Sequence, residues 1–392
     1  MTIRPFTIHI PDEAIDDLHR RLGAIRWPAS LDDESWDDGA SISFMRRLAD
    51  HWRRGFDWRA QEERLNRLPQ YLMNVAGTDI HFVHRRGVGP APLPLLMTHG
   101  WPGSFVEFEL VIPLLTDPGA HGGDPADAFD VVAPSLPGYG FSPAPKRGGI
   151  SSREIAGLWR GLMAGLGYET FGAQGGDIGA GVSTWLGRLF PDSILGIHLN
   201  FIPGSYRPAL DAPISADEQA FLDRTAAWGL AEGAYALMQA TKPQTLAFSL
   251  TDSPVGLAAW IAEKFRSWSD CDGDVERVFS LDALLTDISI YWFGDSLNAS
   301  LRLYKENRRQ PLVFAPGERV IPPLGMAVFP HELMLPPRSW VERVFDVRQW
   351  TRMPAGGHFA ALEQPERLAA DIRAFFRPLR AAPGGLRARS HG

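Results

Sequence analysis

The sequence predicts an α/β protein: a mostly parallel sheet covered by helices on both faces, interrupted by a helical insertion. Three observations carry this expectation. Short apolar runs at 79–84, 93–98, 129–134, 169–174, 194–199 and 320–328 alternate with helical patterns such as 153–166 and 179–190. Between about 202 and 306 the alternation stops and helix periodicity takes over, with long apolar stretches at 254–265 and 281–304. After 320 strand–helix alternation resumes.

Taken in order, residues 1–70 read as an irregular helical segment. Asp12 is placed to cap a helix whose apolar stripe is Ile15, Leu18 and Leu22, with Gly23 as its stop. A second stripe, Phe44, Leu48 and Trp52, follows at four-residue spacing. Two stripes are too few for an independent core, so this segment should wrap something larger. Residues 71–201 and 307–380 are expected to form that body, with 202–306 as a helical lid. The Gly-, Arg- and Ala-rich stretch 381–392 is expected to be a flexible tail.

Composition narrows the function. The 392 residues are 45% hydrophobic and 22% charged, an ordinary globular balance. The net charge of −7, with both signs mixed along the chain, argues against nucleic acid or a polybasic membrane surface as partner. Thirteen Trp and 22 Phe suit a deep apolar cavity or a well-filled core equally. The single Cys271 excludes an internal disulfide, and Asp270 and Asp272 beside it oppose a thiolate. No run approaches the roughly 18 apolar residues of a membrane span, and Met1 to Asp12 lacks a signal-peptide core. A soluble, cytoplasmic protein is expected. Asp270, Asp272 and Asp274 alternate as in a calcium loop, but the required Gly and distal Glu are misplaced, so a solvated acidic loop is expected. His81 and His84 are three apart on a strand run and point to opposite faces, which disfavours a shared metal.

The chemistry concentrates in three segments. The apolar run Tyr168–Ala173 leads into Gln174-Gly175-Gly176-Asp177-Ile178-Gly179-Ala180-Gly181 and then a helix. A nucleophile at a strand-to-helix elbow needs small residues two positions either side, and Gly175 and Gly179 supply them around Asp177. Asp177 could equally be a helix N-cap, a role Asp favours. No Gly-x-Ser-x-Gly occurs, so a serine esterase has no candidate elbow. The run Leu93–Thr98 ends in His99-Gly100-Trp101-Pro102-Gly103-Ser104, where a backbone N–H for an oxyanion hole is expected. We assign it to the Trp101 amide, with the Ile178 amide as partner; a plain tight turn is the alternative. Near the other end, Gly356-Gly357 frees a loop in which His358 precedes a helix, completing the chain order nucleophile, acid, histidine. On position alone the acid is Glu332, Glu342 or Asp346.

With these residues in place the chain resembles the microsomal-type epoxide hydrolases over nearly its whole length. The likeness includes Arg26-Trp27-Pro28, Asp57-Trp58-Arg59, Pro69-Gln70-Tyr71 and Ile80-His81-Phe82 in the N-terminal part. In the body it includes His99-Gly100-Trp101-Pro102-Gly103, Gly175-Gly176-Asp177, Phe329-Pro330-His331-Glu332-Leu333 and Gly356-Gly357-His358-Phe359-Ala360. The combination is specific; no single member is. The resemblance implies an α/β-hydrolase fold with an N-terminal meander and a lid. It also implies Glu332 as the acid, and lid tyrosines matching Tyr304 and Tyr235, with Tyr291 as the fallback for the latter. One position departs from the pattern: the family commonly has Trp after the nucleophile, and this chain has Ile178. The backbone N–H survives that change, but the pocket floor becomes less aromatic. Relatives often carry an N-terminal membrane anchor, which is not expected here.

The resemblance implies conversion of a small apolar epoxide and water to a vicinal diol, without metal or organic cofactor. Asp177 would attack carbon to give an ester, the tyrosines would stabilise the ring oxygen, and His358 held by Glu332 would activate water. A haloalkane dehalogenase would share the Asp nucleophile, but such enzymes usually place Trp after it and Asn or Gln after the His-Gly. A catalytically silent binding protein would usually lose part of the triad. An exposed lid face leaves room for a homodimer.

Overall fold

The computed structural model describes residues 2–294 and 296–380; the expected tail at 381–392 lies outside them. Among the described residues nine strands form one sheet: β1 (Ile3–Pro5), β2 (Gln70–Val75), β3 (Thr78–Arg85), β4 (Leu93–Thr98), β5 (Phe129–Pro134), β6 (Phe171–Gly175), β7 (Ile194–Leu199), β8 (Val320–Val328) and β9 (Phe345–Arg352). Their order is β1-β2-β3-β5-β4-β6-β7-β8-β9. The three pairings among β1, β2, β3 and β5 are antiparallel and the rest are parallel. β4 and β5 are buried at every position, as a strand covered on both faces must be.

The strands missed by apolar periodicity are those where solvent reaches one side. β1 is three exposed residues at an edge, so the segment read as wholly helical begins with a strand. β2 follows it inward, and β9, at the opposite edge, mixes Asp346, Arg348 and Gln349 into its pattern. Asp12 is not the N-cap of its helix; Pro11 takes that position and Asp12 opens Asp12–Leu22. The stretch 281–304 is two helices, Leu281–Phe293 and Leu297–Arg309, the first ending in the C-cap Gly294.

Between β7 and β8 the chain leaves the sheet for residues 200–319. The regular elements described there are helical, including Ala216–Ala231, Ala234–Thr241, Pro243–Asp252 and Pro254–Trp268 besides the two just named. The N-terminal helices tie this insertion down: Trp52 Nε1 donates to Ser289 Oγ at 3.1 Å, His51 meets Asp282 at 2.6 Å and Arg21 meets Asp252 at 2.9 Å. No helix among the described residues is long and apolar enough to cross a membrane.

Parallel register aligns the strand ends that carry the chemistry. Thr98 of β4 pairs with Gly175 of β6, and Gly175 in turn with Leu199 of β7. The turn holding Trp101 and the elbow holding Asp177 therefore leave the sheet side by side, at its carboxyl edge, where open α/β sheets present their sites.

Candidate active site

Asp177 follows β6 and opens the helix Asp177–Leu189 with φ +44°, a left-handed conformation rare for a side-chain-bearing residue. The N-cap of this helix is Gly176, so Asp177 does not fill that position. The turn closes only because its neighbours are bare: a Cβ on Gly179 would stand 1.8 Å from the Thr98 carbonyl oxygen, and one on Gly175 2.3 Å from the Gly179 oxygen. The Trp101 amide donates to Asp177 Oδ1 at 2.8 Å. Ile178, nearly buried, lines the cavity above. His99 is structural: buried, its pKa lowered to about 4 by desolvation, it accepts from the Leu136 amide and faces the Gly100 carbonyl.

His358 reaches Asp177 from the far side of the carboxylate. Its Nε2 lies 3.5 Å from Asp177 Oδ2, and its Nδ1 2.7 Å from Glu332 Oε1. Burial disfavours a charge on this ring, but the Glu332 and Asp177 carboxylates outweigh it and hold its pKa well above the usual histidine value. Glu332 stands on the loop after β8, and a bridge between His331 and Gly357 joins that loop to the histidine loop. Of the positional rivals, Asp346 pairs with Arg348 and Glu342 with Arg338, both half-exposed.

Two further carboxylates fix the histidine loop. Glu363 accepts from the amides of Gly357 at 3.0 Å, Phe359 at 2.9 Å and Asp270 at 2.8 Å. Asp270 accepts from the Gly356 amide at 2.8 Å and lies 3.1 Å from His331 Nε2. The reading of Asp270 as part of a solvated acidic loop is thus corrected. Its alternation with Asp272 and Asp274 suggested a surface, whereas its partner lies 86 residues away, beyond the reach of local pattern.

The insertion roofs the site. Tyr235 from Ala234–Thr241 and Tyr304 from Leu297–Arg309 line a cavity of about 590 Å³ together with Asp177, Ile178, Trp185, Phe201, Trp228 and Met334. That volume lies in the range of small-molecule sites. Trp101 stacks on Tyr235 with ring centroids 5.4 Å apart and meets Tyr304 edge-on at 5.9 Å. Burial lifts both tyrosine pKa values well above the ordinary range, and the negative Asp177 lifts them further, so both hydroxyls stay protonated. Tyr291 is elsewhere: fully buried, it donates to the Gly103 carbonyl at 2.8 Å. Among the described residues no three His, Cys, Asp or Glu are grouped to hold a metal ion.

Residues 3–108 match the family described as "Epoxide hydrolase N terminus", and residues 94–274 match "alpha/beta hydrolase fold". Epoxide hydrolase 1 of Oryctolagus cuniculus is 41% identical over 95% of this chain and 88% of its own. The chain belongs to the microsomal-type epoxide hydrolase family. A Stigmatella aurantiaca member, provisionally named an epoxide hydrolase, is 45% identical over 97% of this chain and 86% of its own. The family's α/β-hydrolase architecture is also that of the Aspergillus niger epoxide hydrolase, similar with a TM-score of 0.84 and 31% identity over 97% of each chain.

Proposed function

We propose that this protein opens an epoxide to a vicinal diol through a covalent ester on Asp177. The observation that carries the reading is one carboxylate facing two protonated tyrosine hydroxyls across an apolar cavity, with a histidine–glutamate pair behind it. An epoxide is strained, but its leaving group is a tethered alkoxide. Asp177 attacks a ring carbon while Tyr235 and Tyr304 donate to the ring oxygen, and one of them gives up its proton. A carboxylate nucleophile leaves an ester whose carbonyl water can attack; a serine would leave an inert ether.

The electrostatics then hand over to the second step. In the resting site Asp177 and Glu332 both favour the charged form of His358. Once Asp177 is esterified it is neutral and one of the two supports disappears, so His358 gives its proton to the tyrosinate and the neutral imidazole can take one from water. Water loses a proton to His358 Nε2 and attacks Asp177 Cγ, with the Trp101 and Ile178 amides holding the oxyanion. The bond from the ester oxygen to the substrate carbon's alkyl group is retained in the diol, while Cγ–O breaks and the alcohol leaves with the second water proton. His358 is left charged and Asp177 ionised, as in the resting site, and the cycle is closed.

The test is intact-protein mass spectrometry on His358→Ala with small epoxides and, separately, haloalkanes. A mass gain equal to the whole epoxide, lost when Asp177 is also replaced, is expected. A gain of an alkyl group without halide, seen only with haloalkanes, would make the protein a dehalogenase. Binding of epoxides with no adduct would make it a silent binding protein.

A further inference from the structure

Behind the nucleophile, on the side away from the 590 Å³ cavity, lies a second and much smaller one. Its space of about 20 Å³ is room for roughly one water molecule. Its polar wall is Asp177, His358, Gln174, Asn200 and Glu107, the last with no part in the chemistry so far. Gln174 donates to Asn200 Oδ1 at 3.0 Å, and its own Oε1, fully buried, has no protein partner. Glu107 folds back over the His99–Gly103 turn: a Cβ on Gly103 would stand 1.4 Å from Glu107 Oε1, so a side chain there would push this carboxyl out of its place. Burial, helped by the nearby Asp287, pushes the Glu107 carboxyl up to about 8, which leaves it mostly protonated at neutral pH.

Glu107 also lines a recess of about 300 Å³ on its other side, walled by Gln61 and Arg64 of Trp58–Leu65 and by Asp282, Ala283 and Asp287 of Leu281–Phe293. Asp282 and Ala283 are exposed, so this recess meets the surface. Glu107 thus stands between outside water and the back of the catalytic carboxylate. In the ester state the front cavity holds the substrate's carbon skeleton, and water cannot cross it without displacing that skeleton.

We propose that Glu107 positions the hydrolytic water in the small cavity, and that the recess behind it is that water's route in. The proposal rests on the epoxide hydrolase reading. The water is held by Glu107 and the Gln174 carbonyl while His358 takes its proton; its oxygen joins Asp177 Cγ, and the ester C–O bond at Cγ breaks. Glu107 gains and loses nothing over the cycle. It is a positioning residue, and its loss should slow the second step and spare the first.

The experiment is rapid-quench mass spectrometry of the full chain with styrene oxide, following the Asp177 adduct and the diol together. In Glu107→Leu the ester should form within about twofold of the wild-type rate, while its hydrolysis slows about 10²-fold, the scale of a misplaced reactant. The ester then accumulates, and kcat and KM fall together with kcat/KM little changed. Glu107→Gln, which keeps an oxygen in place, should recover at least tenfold of the lost hydrolysis, an effect that a purely structural role would not produce. Ala283→Trp, filling the recess from its rim, should slow hydrolysis in the same sense by about threefold to tenfold and guards against a folding defect in the first variant. Equal slowing of both steps in Glu107→Leu, or hydrolysis at the wild-type rate, would overturn the role of Glu107. Wild-type hydrolysis in Ala283→Trp would overturn the route. Failure of the broader reading looks different: no adduct on Asp177 in any variant or in the wild type, which overturns both.

Discussion

Asp177 and Tyr304 face one another across the same cavity, yet they are held by different means. Asp177 sits on a left-handed residue between close-packed glycines, with the Trp101 amide on one oxygen and His358 near the other. Its position is dictated by backbone, and little there can move. Tyr304 is an interior residue of an ordinary helix, Leu297–Arg309, and its hydroxyl faces Tyr235 and the carboxylate. Its position depends on how the insertion packs on the body. The floor is built for one geometry, whereas the roof is aimed by packing and can be re-aimed by changing that packing.

Variants can separate the two. Asp177→Ala should abolish diol formation altogether, and His358→Ala should stop after one ester per chain; turnover by either, measured as diol released, would contradict a floor built around them. On the roof the effect should be graded. Tyr304→Phe should lower the ring-opening rate by roughly 10²–10³, the scale of an oxyanion donor lost, read as the single-turnover rate of ester formation. An unchanged rate would remove Tyr304 from the site. pH sharpens the comparison from the other side. His358 is held in its charged form by two carboxylates, and the proposed esterification would remove one. The acid limb of ester hydrolysis in single-turnover experiments should therefore lie below the His358 titration seen by NMR in the free protein; coincident values would mean that Asp177 does not support the imidazolium. The smallest effect is expected at Tyr291, whose hydroxyl is bound to Gly103. Tyr291→Phe should leave the rate within about threefold, and denaturant unfolding should show about 1 kcal/mol of lost stability, a typical hydrogen bond.

The same contrast explains what the sequence disclosed. The elbow was legible because its geometry forbids side chains at fixed offsets, and Gly175 and Gly179 record that prohibition directly. The buried parallel strands β4 to β8 were legible as apolar runs, while the edges β1 and β9 were not, because β1 is exposed throughout and β9 is buried only at Phe345 and Val347. A tyrosine in a helix leaves no such mark. Tyr235, Tyr291 and Tyr304 look alike along the chain, and only the fold distinguishes the hydroxyl spent on Gly103 from the two that face Asp177. Resemblance, not residue pattern, pointed to them. Asp270, Glu363 and Glu107 were missed for a related reason. Asp270 acts on a loop far along the chain, Glu363 acts through backbone amides, and Glu107 lies in a short 3₁₀ turn, Phe105–Phe108, with no periodicity to read.

The detour of residues 200–319 between β7 and β8 has a thermodynamic side. The two strands pair in parallel, Leu199 against Met326, although the chain between them is an order of magnitude longer than a single crossover helix needs. Loop-closure entropy grows only with the logarithm of length, so a tenfold longer connection costs the sheet about 2 kcal/mol. Such an insertion can lengthen, shorten or be rebuilt at small further expense to the sheet that carries Asp177. Over evolutionary time, substrate range can drift through the roof while the reaction itself stays fixed below it.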